Sequence, residues 1–167
     1  GANDEDVIYG GNQADYVGGG IGNDTLYGGN GRDQVYGGDG DDLMIDNDQS
    51  GFAGQDRFFG NLGNDQIFGG GGNDTLHGGY GNDTLNGGAD NDVLFGFDGT
   101  DILSGEEGDD RLYGGNGSDV FVFATDHGQD TIFDFDAQDG SEQIDLSAIS
   151  GLTLASLDLG SSSTGGA

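Results

Sequence analysis

The sequence predicts an all-β fold, a parallel β-solenoid (a β-roll) of two facing sheets with a C-terminal β cap. Three observations carry that prediction. A nine-residue period runs through most of the 167-residue chain, glycine takes alternate places in each period, and one apolar residue returns at a single place. The stretch GGGGNDTLHGGYGNDTLNGG shows all three, since it nearly superposes on itself after a shift of nine residues.

With Gly1 as position one, the units run 1–9, 10–18, 19–27, 28–36 and 37–45; after five extra residues, 46–50, the register resumes at 51–59 and holds to 114–122, giving thirteen units. Position one is glycine in all of them. Position six is aspartate in all of them: Asp6, Asp15, Asp24, Asp33, Asp42, Asp56, Asp65, Asp74, Asp83, Asp92, Asp101, Asp110 and Asp119. Position eight is always apolar: Ile8, Val17, Leu26, Val35, Met44, Phe58, Ile67, Leu76, Leu85, Leu94, Leu103, Leu112 and Phe121. Position four departs from glycine at Asp4, Gln13 and Asp90, and position two departs at Ala2, Phe52, Asn61, Phe97 and Glu106.

Each part of the unit has a physical reason. Alternate glycines let six residues turn tightly through φ values that other residues avoid. The triplet around position eight is then a very short strand with its central side chain pointing inward. Two units make one coil, so unit i stacks on unit i+2 with strands about 4.8 Å apart. Odd and even units form the two sheets, facing across a thin core. The roll is expected over 1–122, with 46–50 as an insertion.

Beyond 122 the period breaks. DVFVF, QDTIFDF and EQIDLSAIS read as longer, alternating strands, so 123–159 is expected to cap the exposed sheet edges. The tail at 160–167, GSSSTGGA, has linker composition. The chain opens on the first residue of a repeat, as a piece cut from a longer protein does.

Composition narrows the function. There are 39 Gly, no Pro, no Cys and 32 acidic residues against 3 basic ones, for a formal charge of −29. Such a chain repels nucleic-acid phosphates and anionic membranes, which leaves cations and basic partners. No apolar run is long enough for a membrane span. The acids are 28 Asp and only 4 Glu, evenly spaced rather than blocked, which argues against a solvated disordered tail. Catalytic motifs are missing: His77 and His127 belong to no HExxH, no GxSxG elbow is present, and the glycine clusters lack the lysine of a phosphate loop. The fragment is expected to be non-catalytic.

The aspartates point to a hard divalent cation. Ca²⁺ takes six to eight oxygens from carboxylates and carbonyls. Each tight turn aims several carbonyls at one spot and its aspartate adds a carboxylate. A turn two units away presents the same set one coil along.

The unit G-G-x-G-x-D-x-U-x, as in GGIGNDTLY and GGNGRDQVY, resembles the calcium-binding nonapeptide of the repeats-in-toxin (RTX) family, also called the hemolysin-type repeat. The resemblance covers 1–122. It implies a right-handed parallel β-roll with Ca²⁺ between successive turns on each side. It also implies a ligand pattern: the carbonyls of positions one and three of one loop (Gly19 and Ile21, Gly28 and Asn30, Gly69 and Gly71, Gly78 and Tyr80) join those of positions two and four of the next. Pairing within the odd and even columns leaves room for roughly 8–11 Ca²⁺ ions. The family further implies a secreted, extracellular bacterial protein exported by type I secretion, in which the roll folds on external calcium and stabilises a larger parent. The parent's other domains are then its partners.

Three further features carry expectations. DNDQSG at 46–51 places Asp46, Asp48 and Ser50 at the first, third and fifth places of an EF-hand-like loop, a candidate extra Ca²⁺ site, but Arg57 stands where the closing glutamate is expected, and the plainer reading is a polar bulge between coils. Asp134, Asp136 and Asp139 form an acidic group in the cap, read as a solvated turn, with a further ion as the alternative. Position nine carries aromatics: Tyr36, Phe59, His77, Phe95 and Tyr113 in even units, and Tyr9, Tyr27, Ile45 and Phe68 in odd ones. These outward ladders stabilise the sheets, or alternatively make the module a polysaccharide- or cell-surface-binding one.

Overall fold

The computed structural model describes residues 4–47, 54–125, 127–136 and 141–149. The roll begins with β1 (Val7–Gly11), β2 (Tyr16–Ile21), β3 (Thr25–Gly29), β4 (Gln34–Asp39) and β5 (Leu43–Ile45). It continues with β6 (Arg57–Leu62), β7 (Gln66–Gly71), β8 (Thr75–Tyr80), β9 (Thr84–Ala89), β10 (Val93–Gly99), β11 (Ile102–Glu107) and β12 (Arg111–Gly117). Three short strands close it: β13 (Val120–Val122), β14 (Thr131–Ile132) and β15 (Gln143–Asp145). Odd-numbered strands form one parallel eight-stranded sheet and even-numbered strands a parallel seven-stranded one. No helix occurs among the described residues, so none is long and apolar enough to cross a membrane.

The register follows the period. Leu26 lies over Ile8, and Leu94 lies between Leu76 and Leu112. Position-eight residues therefore stack in two facing files, one from each sheet, and from Val17 to Phe121 each is 3% exposed or less. Removing one of these side chains from water is worth about 1.5–3 kcal/mol. A core with one such side chain per unit is nonetheless thin for a chain of this length.

Strands are longer than the expected triplet. Most run five to seven residues, from position seven into the glycines of the next unit. The inward face explains this: position six, position eight and the next position one alternate inward, as Asp24, Leu26 and Gly28 all do. The aliphatic and the glycine thus share one face of the strand, and the aspartate just before it falls on the same side.

The insertion leaves the stack unbroken. Coil-to-coil partners are normally 18 residues apart, but across 46–50 the spacing becomes 23, and Val35 pairs with Phe58 while Met44 pairs with Ile67.

The C-terminal strands differ from expectation. β14 and β15 have only two and three residues, and each extends one sheet by a level, over β12 and β13. The extra apolar residues cover the end of the stack instead of lengthening strands. Phe123 and Ile132 pack on the core, Phe133 stacks on Tyr113 at 4.7 Å, and Phe135 tilts against Phe121 at 6.1 Å. The expected tail at 160–167 lies outside the described residues.

Candidate metal centres

The thirteen position-six aspartates form two columns, one along each edge of the roll. Within a column each carboxylate reaches back: Oδ1 of Asp24 accepts the backbone N–H of Asp6, and Oδ1 of Asp42 accepts that of Asp24, both at 2.8 Å. The pattern continues through Asp65, Asp83, Asp101 and Asp119. In the other column it links Asp15, Asp33, Asp56, Asp74, Asp92 and Asp110. From Asp24 onward the position-six residues are 2% exposed or less. Asp6 and Asp15, which open the columns, are half-buried.

The second oxygen has no such partner. Oδ2 of Asp24, Asp42, Asp65, Asp74, Asp83, Asp92, Asp101, Asp110 and Asp119 is buried without a hydrogen bond. A buried carboxylate oxygen in that state is costly unless it neutralises or meets a cation. Burial accordingly pushes the carboxyls up, to about 8 for Asp74 and Asp92, about 7 for Asp65 and Asp101, and about 6 for Asp42, Asp83 and Asp110. The N–H bond from the previous coil opposes the rise, and most of these carboxyls are raised further by column neighbours.

Position-one glycines shape the space around Oδ2. A Cβ on Gly87 would press on Asp92 Oδ2 and come within 2.9 Å of the Gly105 carbonyl oxygen, one coil on; Gly19 (Asp24, Gly37) and Gly69 (Asp74, Gly87) repeat the arrangement. An unpartnered carboxylate oxygen and a carbonyl of the next coil therefore border one cradle. Among the described residues no three or more His, Cys, Asp or Glu side chains cluster as a metal-binding group, so backbone carbonyls must complete the oxygen set. That set fits Ca²⁺ and not a His- or Cys-rich transition-metal site.

The cradle gives a sharp contrast. Gly87→Ala is expected to cost about 1–3 kcal/mol by overpacking. Gly18→Ala is expected to be neutral, since a Cβ there meets nothing within 4 Å. Calcium titrations of the two variants followed by circular dichroism check this; equal midpoints would remove the cradle from the argument.

The loop carbonyls expected as ligands are only partly free. Gly19, Gly28, Gly69 and Gly78 are buried at position one, whereas Ile21 is exposed and Asn30 and Gly71 are half-buried. The Tyr80 carbonyl already accepts the Gly63 N–H at 2.9 Å, one of several position-three to position-four bonds between coils. Where glycine is missing the turn persists: Asn61, Phe97 and Glu106 at position two and Asp90 at position four have φ of 78°, 79°, 70° and 75°. Bulky residues rarely accept such values.

Of the insertion residues, Asp48 and Ser50 lie outside the described residues. Asp46 is 8% exposed, beside Gly70, and its charge helps raise Asp74. Asp134 is exposed, in a bend, as expected of a solvated turn, but its two oxygens also accept the N–H groups of Gly114 and Gly115, both at 3.0 Å. The Asp136 N–H donates to Glu142 at 2.5 Å, and Asp139 lies outside the described residues.

Two features escaped the sequence reading. Position five builds a second ladder: the N–H of Asn82 donates to the Asn64 side chain, that of Thr100 to Asn82, and that of Asp109 to Asn91. Its signal was the recurrent Asn before the aspartate. The other is Asp130, whose Oδ1 accepts the Asp110 N–H at 3.0 Å just as a repeat aspartate does.

The even ladder stacks Tyr36, Phe59, His77, Phe95 and Tyr113 at 4.7–5.0 Å, and extends to Tyr16 and Phe133 at its ends. Burial and the Arg57 charge push the His77 pKa down, so it joins the stack as a neutral ring. In the odd ladder Tyr9 and Tyr27 stack at 4.6 Å.

The model of the RTX calcium-binding nonapeptide repeat matches residues 1–26, 18–45, 50–79, 68–96, 77–108 and 95–132, well over half of the chain. The chain belongs to the RTX calcium-binding nonapeptide-repeat family. No curated protein matches it. As an RTX β-roll it is a structural calcium-binding module, not catalytic by itself.

Proposed function

We propose that this RTX module folds on extracellular calcium and stabilises a larger protein exported by type I secretion. One observation supports the reading above the rest: in coil after coil a buried Oδ2 without a hydrogen bond borders the same cradle as a carbonyl of the next coil. The position-six aspartates, from Asp6 to Asp119, are the carboxylate ligands, and roughly 8–11 Ca²⁺ ions fill the two columns. Extracellular modules hold calcium with a Kd of about 10⁻⁴–10⁻³ M, so the columns empty at cytosolic calcium and the chain travels unfolded. When filled, a cation supplies positive charge between adjacent carboxylates. This chain's contribution is to hold the oxygens in register: Oδ1 is tethered to the previous coil, and Gly at position one keeps the space open. The test is calcium titration by circular dichroism together with an ion count by native mass spectrometry. A folded roll that carries no calcium at saturating concentration defeats the reading.

A second reading, carbohydrate or surface binding, has one observation in its favour, and it lies beside the ladder rather than on it. The ladder rings cover each other's faces, leaving edges to solvent. A groove of about 520 Å³ alongside is lined by Leu62, His77, Tyr80, Phe97 and Asp98, with Leu62, Tyr80 and Phe97 45–63% exposed. Strain at an exposed Phe97 suits a ligand site. On a glycan array, binding lost in Tyr80→Ala with calcium-induced folding intact supports this reading; no glycan bound by the folded wild type removes it.

A further inference from the structure

We infer that the outer face of the even sheet is a docking strip for an acidic polysaccharide, whose carboxylates meet Arg57 and Arg111 as the sugar chain lies along the axis of the roll. The inference rests on the carbohydrate reading above and deepens it, because it names the ligand class and places its recognition on the opposite side of the ladder from the apolar groove.

Positions seven and nine of each unit flank the inward position eight, so their side chains point out of the sheet. From β2 to β12 neither position of the even sheet carries an acid. Two of the chain's 3 basic residues stand there instead, Arg57 in β6 and Arg111 in β12. Position seven of the odd sheet has no arginine. Both side chains are exposed, and neither guanidinium is ion-paired or hydrogen-bonded among the described residues. In a chain with 32 acidic residues that is a matter of placement, since the acids point inward or lie at turns and strand ends. The third arginine adjoins the strip. Arg32 Nε donates to the Gln55 carbonyl at 3.3 Å, and Arg32, Gln34, Gln55 and Arg57 line a pocket of about 330 Å³ with Asp33. Asp33 is 1% exposed, and its Oδ1 accepts the Asp15 N–H.

The aromatic ladder adds to the same field. An aromatic ring is negative on its faces and positive at its edge. The stacked rings turn their faces to each other, so the positive edges look outward beside the arginines. A chain of charge −29 thus carries one sheet face of the opposite sign.

The spacing selects the partner. Arg57, Thr75, Val93 and Arg111 are register partners in successive strands, which sets the two arginines about 14 Å apart at ~4.8 Å per strand. A guanidinium fork matches a carboxylate, and the stretch between is uncharged. That suits a polymer with carboxylates at intervals and neutral, hydroxyl-rich rings between them. A peptide gains little here, because β8 and β10 are hydrogen-bonded on both sides and leave no free backbone row for strand addition. Nucleic acid carries a phosphate at every nucleotide and meets the acidic turns on either side.

The test is a glycan array probed with the calcium-folded protein, carrying hyaluronan and oligogalacturonate fragments beside neutral chitin and cellulose fragments. The acidic fragments should bind and the neutral ones should not. Arg57→Gln with Arg111→Gln should weaken that binding at least about tenfold with calcium-induced folding intact. Should the double variant fail to fold, salt decides on the wild type: binding that weakens as salt rises supports the strip, and binding indifferent to salt overturns it. Equal binding of neutral fragments, acidic binding unchanged in the double variant, or single-stranded DNA bound as tightly also overturns it. Binding of neutral fragments lost only in Tyr80→Ala leaves the groove as the carbohydrate site without the strip. No glycan bound at all removes the carbohydrate reading itself, a different result from losing the preference for acid.

Discussion

Excess chelator at pH 8 will abolish the β-sheet circular dichroism of the RTX roll, and calcium, but not magnesium, will restore it. The reason is in how the columns are pinned. Oδ1 of each position-six aspartate from Asp24 on is tied to the backbone of the coil before, at 2.5–2.9 Å. The carboxylates therefore cannot swing into solvent without breaking the stack. At the coil spacing of about 4.8 Å, two neighbouring carboxylates repel by on the order of 3 kcal/mol for an effective dielectric of 20. The thin core, Val17 to Phe121, has one side chain per unit to set against this and against chain entropy. Protonation is the other escape, and at pH 8 most of the raised carboxyls have lost it. The position-six carboxylates and turn carbonyls would hold a cation whose charge would offset this repulsion; Ca²⁺ accepts six to eight oxygens at 2.3–2.6 Å, whereas Mg²⁺ demands a tighter octahedron at 2.0–2.1 Å and keeps its waters. Full β signal in chelator at pH 8 would show that the stack stands without metal.

Much of this was legible because a solenoid writes its geometry into its period. Positions one, six and eight each answered to a single requirement, and the structure puts all three on one inward face. Position five was harder to read. Asn23, Asp41, Asn64 and Asn82 bond between coils, but any short polar side chain does this, so the sequence varies there. Apolar alternation in the C-terminal segment suggested long strands because the sequence does not distinguish a residue that lengthens a strand from one that covers the end of a stack, as Phe135 does. The aromatic ladders were visible as a pattern. That their faces are spent on each other follows only from the coil spacing, which leaves no room for a sugar between rings.

The pH dependence should run in opposite directions with and without calcium. In the ion-free roll, burial lifts Asp74 and Asp92 to about 8, Asp65 and Asp101 to about 7 and Asp42, Asp83 and Asp110 to about 6. The unfolded chain titrates near the ordinary value of 3.8. A group whose folded pKa is raised favours folding fully below its unfolded pKa, and that contribution disappears as pH rises through the folded value. The ion-free fold is therefore least stable above pH 8 and gains steadily as the pH falls from there toward 4. In chelator, acidification to pH 5 should return part of the β signal, still above the isoelectric point of about 4.1. With calcium bound the carboxylates must stay ionised, so protons compete with the ion and the filled roll should weaken over the same acid range. Asp74→Asn with Asp92→Asn separates the two effects, because an amide mimics the protonated acid at every pH. In chelator at pH 8 the double variant should be more folded than the wild type, yet it should need more calcium to reach saturation. A wild type whose chelated form unfolds further on going from pH 8 to pH 5 would reverse the sign and remove burial of these carboxyls as the cause.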